Sequence, residues 1–179
     1  YDDIARDTLC ALYADVFKAE SAIVSPLIVS GTHALSLCLF GILRPGDTML
    51  AVTGAPYDTL QTVIGGKGNG SLADFGVKYR QGDFDMQKMR EILAEDRSVR
   101  LVFLGRSRGY EWRDALKLDD IAKIVKAVRS IREDVVIMCD NCYGEFVESE
   151  EPISYGVDIV AGSLIKNFGG GLAPQGGDI

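Results

Sequence analysis

The chain has 179 residues, 47% of them apolar, enough for one domain with a sizeable core. Lys and Arg total 19 against 26 Asp and Glu, and the net charge of −7 leaves no electrostatic footprint for nucleic acid or an anionic membrane. No run reaches the roughly 18 apolar residues of a membrane span and no signal peptide opens the chain, so the sequence reads as that of a cytoplasmic protein.

From the start, Asp3 to Lys18 carries apolar residues at Ile4, Leu9, Leu12, Val16 and Phe17, an approximate helical stripe with acidic residues at its front. Ala22 to Val24 reads as a short strand, broken by Pro26. Ser30-Gly31-Thr32 then opens a helix that runs through Ile42 and stops at Arg44-Pro45. Free N–H groups and the positive end of the helix dipole make that start a ready phosphate site, and Gly31 permits close approach. Ser and Thr in this position equally describe a plain N-cap.

Thr48 to Val52 is a second strand, followed by a loop that presents Tyr57 ahead of a short helix. A tyrosine there can stack on a planar ligand or simply cover core. The glycine-rich stretch 65–71 is expected to be mobile; it is not a Walker A loop, because Gly68 follows Lys67 and no apolar strand leads into it. Val77 to Tyr79 reads as a brief strand, Met86 to Ala94 as a helix, and Arg100 to Leu104 as a buried strand. That strand ends in Arg106-Ser107-Arg108, and two arginines at a strand's carboxyl end suit a carboxylate or phosphate. Leu118 to Ile131 is an amphipathic helix, and Val135 to Cys139 is the most clearly buried strand.

Asp140 at the end of that apolar strand needs a partner, which a pyridinium nitrogen or a turn cap would supply. Cys139 and Cys142 form a C-x-x-C, but no second such pair exists and His33 is the only histidine, which argues against zinc or thioredoxin-like chemistry. A last apolar run, Ile159 to Ala161, delivers Lys166 into a turn that relaxes into Gly169-Gly170-Gly171. Burial there lowers an amine pKa and makes it a nucleophile towards aldehydes such as pyridoxal phosphate. Read alone, Lys166 also describes a loop lysine reaching solvent. Strands alternating with helices argue for parallel βαβ units, which gather all these loops at one sheet edge.

Taken together, Ser30-Gly-Thr-His-Ala34, the loop Gly54 to Leu60, Arg106-Ser-Arg-Gly-Tyr110, Asp140-Asn-Cys-Tyr-Gly-Glu-Phe146 and Gly162-Ser-Leu-Ile-Lys-Asn167 resemble the large domain of the fold-type I pyridoxal-phosphate enzymes. Within the cysteine/methionine-metabolism group, they are most similar to the methionine γ-lyase-like branch often labelled aluminium-resistance protein. The resemblance implies an α/β fold, three-layer α/β/α with a mostly parallel sheet. It implies that 1–179 is the cofactor-binding domain of a homodimer or homotetramer, a fragment without an N-terminal segment and a C-terminal small domain.

The resemblance also assigns roles. Lys166 is the Schiff-base lysine and general base, and Asp140 pairs with the pyridinium nitrogen. Ser30, Gly31, Thr32 and Ser163 hold the phosphate, Tyr57 stacks on the ring, and Arg108 contacts the substrate carboxylate. Related lyases place a tyrosine slightly earlier, where this chain has Thr53, and Phe168 and Gly105 stand where this branch has proline and glutamine. The implied activity is elimination from a sulfur-containing amino acid. An aminotransferase, a non-catalytic cofactor-binding stress protein, and a nucleotide-binding domain using Ser30 to Thr32 or Gly65 to Gly70 are the alternatives.

Overall fold

The computed structural model describes residues 3–66, 68–82 and 84–179. Lys67 of the glycine-rich stretch lies outside them. Helices α1 (Ile4–Phe17), α2 (Gly31–Ile42), α3 (Asp58–Gly65), α4 (Met86–Glu95) and α5 (Leu118–Arg129) alternate with strands β1 (Val24–Ser25), β2 (Thr48–Ala51), β3 (Lys78–Gln81), β4 (Val99–Gly105), β5 (Val136–Asp140), β6 (Ile159–Ser163) and β7 (Gly177–Asp178). The strands form one sheet in the order β1-β7-β6-β5-β4-β2-β3. From β3 to β6 every pairing is parallel, whereas β7 runs antiparallel to both β6 and β1.

Local chemistry sets the helix ends. The Asp3 carboxylate accepts from the N–H groups of Ala5 and Arg6 at 3.1 and 3.3 Å, satisfying donors that a helix start leaves open. Asp85 caps α4 in the same way. The predicted elements are in place, with ends moved by one or two residues. The first strand is Val24–Ser25 rather than Ala22 to Val24, and Gly177–Asp178 and a 3₁₀ turn at Pro152–Tyr155 were not anticipated.

Alternation along the central strands splits the core in two. Leu50, Val102, Leu104, Ile137, Cys139 and Val160 pack with α4, α5 and Phe17 of α1 on one face. Met49, Ala51, Leu101, Phe103, Met138 and Ala161 pack with α2 and α3 on the other. This is the expected three-layer α/β/α arrangement. Among the described residues no helix is long and apolar enough to cross a membrane.

The chain leaves β2 outward to β3 and returns on β2's other side as β4, so the connections reverse between β2 and β4, where open α/β sheets form a ligand crevice at the strands' carboxyl ends. Phe103, 1% exposed in the central strand, is the largest fully buried side chain. Replacing Phe103 by Ala is expected to cost about 3–5 kcal/mol, read as a lowered urea midpoint.

Candidate functional site

A cavity of about 630 Å³ opens at the carboxyl ends of β2, β4, β5 and β6, within the size range of small-ligand sites. Tyr57, Arg108, Asp140, Cys142, Tyr143 and Lys166 all line it. Four segments far apart in sequence thus meet at one cavity.

Asp140 is the last residue of β5 and is 9% exposed. Its Oδ1 accepts from the Cys142 N–H at 3.1 Å, so the turn cap that the sequence allowed is present. Burial nevertheless raises its carboxyl above the ordinary value, opposed by the Cys142 contact and by Lys166. Lys166 Nζ stands 4.2 Å from the centre of the Tyr143 ring, a cation–π contact. Burial alone would lower the Lys166 ammonium, but Cys142, Tyr143 and Asp140 outweigh it and leave its pKa above normal. The expectation of a depressed amine is therefore corrected: in this arrangement Lys166 is an ammonium ion. The Cys142 thiol is itself pushed up by burial and by the neighbouring Asp140.

Ser30 caps α2, its Oγ accepting from the His33 N–H at 3.1 Å. The plain N-cap reading is thus realised, and the N–H groups of Gly31 and Thr32 are those a helix start leaves open. A Cβ on Gly31 would sit 3.2 Å from both Cys142 Sγ and Ser163 Cβ, so glycine is what lets α2 approach the end of β6. Ser163 is 1% exposed at that contact. Thr32 Oγ1 is hydrogen-bonded to the Tyr57 hydroxyl and, at 3.1 Å, to Thr59 Oγ1. The structure therefore joins Thr32 to the cavity wall through Tyr57. Gly31, next to Ser30, lies beside Cys142 and Ser163.

Thr53, at the position where related lyases carry tyrosine, is buried and accepts from the Gly105 N–H at 2.7 Å. It ties β2 to β4 and leaves Tyr57 as the aromatic ring of this loop at the cavity. Phe168 packs against Tyr13, Phe17 and Phe146 with ring centres 4.8, 5.4 and 4.7 Å apart.

Other expectations change. Arg106 is not available to a ligand: it is 3% exposed and donates to Asn141 Oδ1 at 2.8 Å, Glu151 Oε2 at 3.3 Å and Glu148 Oε1 at 2.9 Å. Arg108, two residues on, is exposed and lines the cavity. Cys139 points into the core while Cys142 lines the cavity; both are free thiols, and no metal-binding cluster occurs among the described residues. The glycine-rich loop is self-occupied. The Asp74 carboxylate accepts from the N–H groups of Gly68, Asn69, Gly70 and Ser71 at 3.0–3.2 Å, where a phosphate would have to sit, and these bonds hold its pKa down. That removes the loop from the nucleotide-binding alternative.

Two residues of the site went unnoticed in the sequence. Tyr143 and Phe146 both adopt the left-handed backbone region, at φ +67° and +60°, which non-glycine residues seldom occupy. They turn the chain sharply after β5, placing Tyr143 over Lys166. Glu145, between them, is 1% exposed, and its backbone carbonyl accepts from Asn167 Nδ2 at 2.7 Å, next to the lysine. The tyrosine had no signal beyond its place after Asp140; an acidic residue between aromatic neighbours was the only hint of Glu145.

Residues 1–179 match the protein family described as methionine gamma-lyase. The crystal structure of a carbon-sulfur lyase involved in aluminium resistance from Clostridium novyi NT is 50% identical, with a TM-score of 0.94, and the match covers 99% of this chain and 44% of that one. The uncharacterized protein YnbB of Bacillus subtilis (strain 168) is 46% identical over 99% of this chain and 44% of its own length. The chain spans less than half of either relative. The pyridoxal-5'-phosphate-dependent protein YhfS of Escherichia coli shares the fold at 19% identity, with a TM-score of 0.76, covering 98% of this chain and 43% of that one.

The buried Arg106 network has a direct consequence for stability. Arg106→Ala leaves Glu151 a buried, unpaired carboxylate and is expected to lower unfolding free energy by about 3–5 kcal/mol. Arg108→Ala, at an exposed position, is expected to stay within about 0.5 kcal/mol of the parent in the same denaturant titration.

Proposed function

The chain belongs to the methionine gamma-lyase family, and from that premise we propose that it is the cofactor-binding part of a pyridoxal-phosphate-dependent carbon–sulfur lyase acting on a sulfur-containing amino acid. The observation that carries this reading is the meeting of Asp140 and Lys166 on one cavity wall, with Asp140 buried and its Oδ1 accepting from the Cys142 backbone N–H.

The residues present fit the cofactor. Asp140 needs the positive charge that a pyridinium N–H would bring. The open N–H groups of Gly31 and Thr32 and the nearby Ser163 hydroxyl suit a phosphate at a helix start, and Ser30 shapes that start as its cap. Tyr57 offers a ring face at the same cavity. When bound, pyridoxal phosphate supplies an aldehyde that captures the substrate amine and an electron sink for a carbanion at its Cα.

Each side chain then has a task. Asp140 holds a proton at the ring nitrogen. Lys166 Nζ, once free, would take the Cα proton and, relieved of it, a proton from Cβ; the electron pair left at Cβ expels the γ-thiolate, which leaves as the thiol on gaining a proton. To act as base Lys166 must lose the proton it carries in this arrangement, and a cationic ring facing Asp140 removes part of the attraction that keeps it charged. Tyr143 holds the Nζ within reach meanwhile. Arg108 orients the substrate carboxylate by a charge-assisted pair. Tyr110, 94% exposed at the cavity rim, and Trp112, 98% exposed, fit a homodimer or homotetramer in which a neighbouring subunit covers the site. We place such an assembly in the cytoplasm.

Mixing the full-length protein with pyridoxal phosphate is expected to give a visible band of lysine-bound cofactor that borohydride fixes, with the pyridoxyl group found on the Lys166 peptide by mass spectrometry. Lys166→Ala is expected to lose band and adduct alike. Incubation with methionine or cystathionine then distinguishes elimination, which releases a thiol and ammonia, from amino-group transfer. No band in the parent protein would overturn the cofactor assignment.

A further inference from the structure

On the opposite side of β6 from Ser163 lies a second cluster that the chemistry above does not use. Both carboxylate oxygens of Glu145 and Oδ1 of Asp178 are buried with no hydrogen-bond partner. The two residues are 1% and 4% exposed. They crowd one point: a Cβ on Gly162 would meet Glu145 Oε1 at 2.8 Å and the Asp178 oxygens at 2.9 and 3.0 Å. Only glycine leaves room for them.

The charged and titratable groups around the pair offer little relief. Tyr13 from α1, Glu151, and Asp140 at the end of β5 face it, and among the described residues the cation that acts on Glu145 is Lys166, whose Nζ is over the Tyr143 ring. Two ionised carboxylates crowded at this point would repel each other.

The pair sits at the neck of the loop that carries Lys166. Gly162 and Asp178 are register partners in the β6–β7 ladder, followed by Ser163 and Gly177. The Leu164 N–H donates to the Gly176 carbonyl at 3.1 Å, closing the loop's base. Its lysine end is braced on the Glu145 segment by the Asn167 hydrogen bond and by Phe146 against Phe168. We propose that Glu145 and Asp178 share one proton across Gly162, and that this carboxyl–carboxylate pair latches the loop that positions Lys166. Losing the proton sets two negative charges against each other at the neck, and the loop loosens. The latch rests on the geometry of residues 145, 162 and 178 alone; only its bearing on catalysis rests on the role given to Lys166 above.

The sign follows from linkage. Burial pushes both carboxyls up to about 7, with Asp178 adding to it at Glu145 and Glu151 adding to it at Asp178. For the one shared proton, an acid raised in the folded state contributes stability that is complete below the unfolded values of 4.5 and 3.8 and is lost as pH rises through about 7 and the pair gives that proton up.

Hydrogen exchange across residues 164–178 tests this on the full-length protein without added cofactor, from about pH 5.5 to about pH 8.5, corrected for intrinsic rates. Protection in the parent is expected to fall about tenfold or more above neutrality, and Asp178→Asn and Glu145→Gln are each expected to hold it nearly level. The infrared carbonyl band of a protonated carboxylic acid, present in the parent near pH 6, is expected to weaken in either variant and to vanish at high pH. A level parent profile, an absent band, or an unchanged pH dependence in a variant that circular dichroism shows to be folded would overturn the latch. So would protection at high pH that rises saturably with potassium, which would put a cation in the proton's place. Should one variant not fold, the other variant and the parent's infrared band decide. Because no step needs pyridoxal phosphate, failure of the cofactor assignment leaves this result standing.

Discussion

Parallel pairing of four strands in fixed register is the constraint from which the site follows. Gly105 of β4 pairs with Asp140 of β5, which pairs in turn with Ala161 of β6, while β2 ends one hydrogen bond away through Thr53. Parallel strands all exit at the same edge, and each return needs a helix on one face. The chain is therefore obliged to bring residues as distant as Tyr57, Asp140 and Lys166 to one line. Their chemistry belongs to that line rather than to any local motif.

The strand β6 shows how thin the structure becomes where these demands meet. Its alternation sends Ser163 towards α2 and Gly162 towards Glu145 and Asp178. On the first face Gly31 is the residue that yields space, and on the second Gly162 does. A similar accommodation occurs at Gly144, where a Cβ would lie 2.4 Å from Arg106 Cδ, so the buried guanidinium passes only because that side chain is missing. Glycine here removes bulk at the places where polar groups must pack closely against a strand or turn. The cost falls on the Asp140 turn, where Tyr143 and Phe146 take backbone angles that glycine would adopt more easily.

What could be read in advance divides along physical lines. Strands β2, β4, β5 and β6 announced themselves because both faces are buried, which demands a continuous apolar run. The two-residue strands β1 and β7 carry no such signature; Gly177–Asp178 has poor strand propensity and pairs only because β6 and β1 flank it. The motif order was legible and led to the right family. The division of labour between Arg106 and Arg108 was not, because it is decided by Glu148 and Glu151, more than 40 positions later. The charge on Lys166 was likewise hidden, since it depends on which neighbours outweigh burial. Glu145 stayed invisible because its significance arises only against Asp178.

The pairing of β1 with β7 also orders events in time. Val24 and Ser25 find their partners in Asp178 and Gly177, and Ile23 and Ile179 exchange hydrogen bonds of 2.8 and 3.0 Å. At ordinary rates of translation, roughly ten seconds or more separate the emergence of these segments from the ribosome. The α1 helix waits as well, because the aromatic rings against Tyr13 and Phe17 come from Phe146 and Phe168. The helix α1 and strand β1 can thus complete these contacts only after the lysine loop has been made.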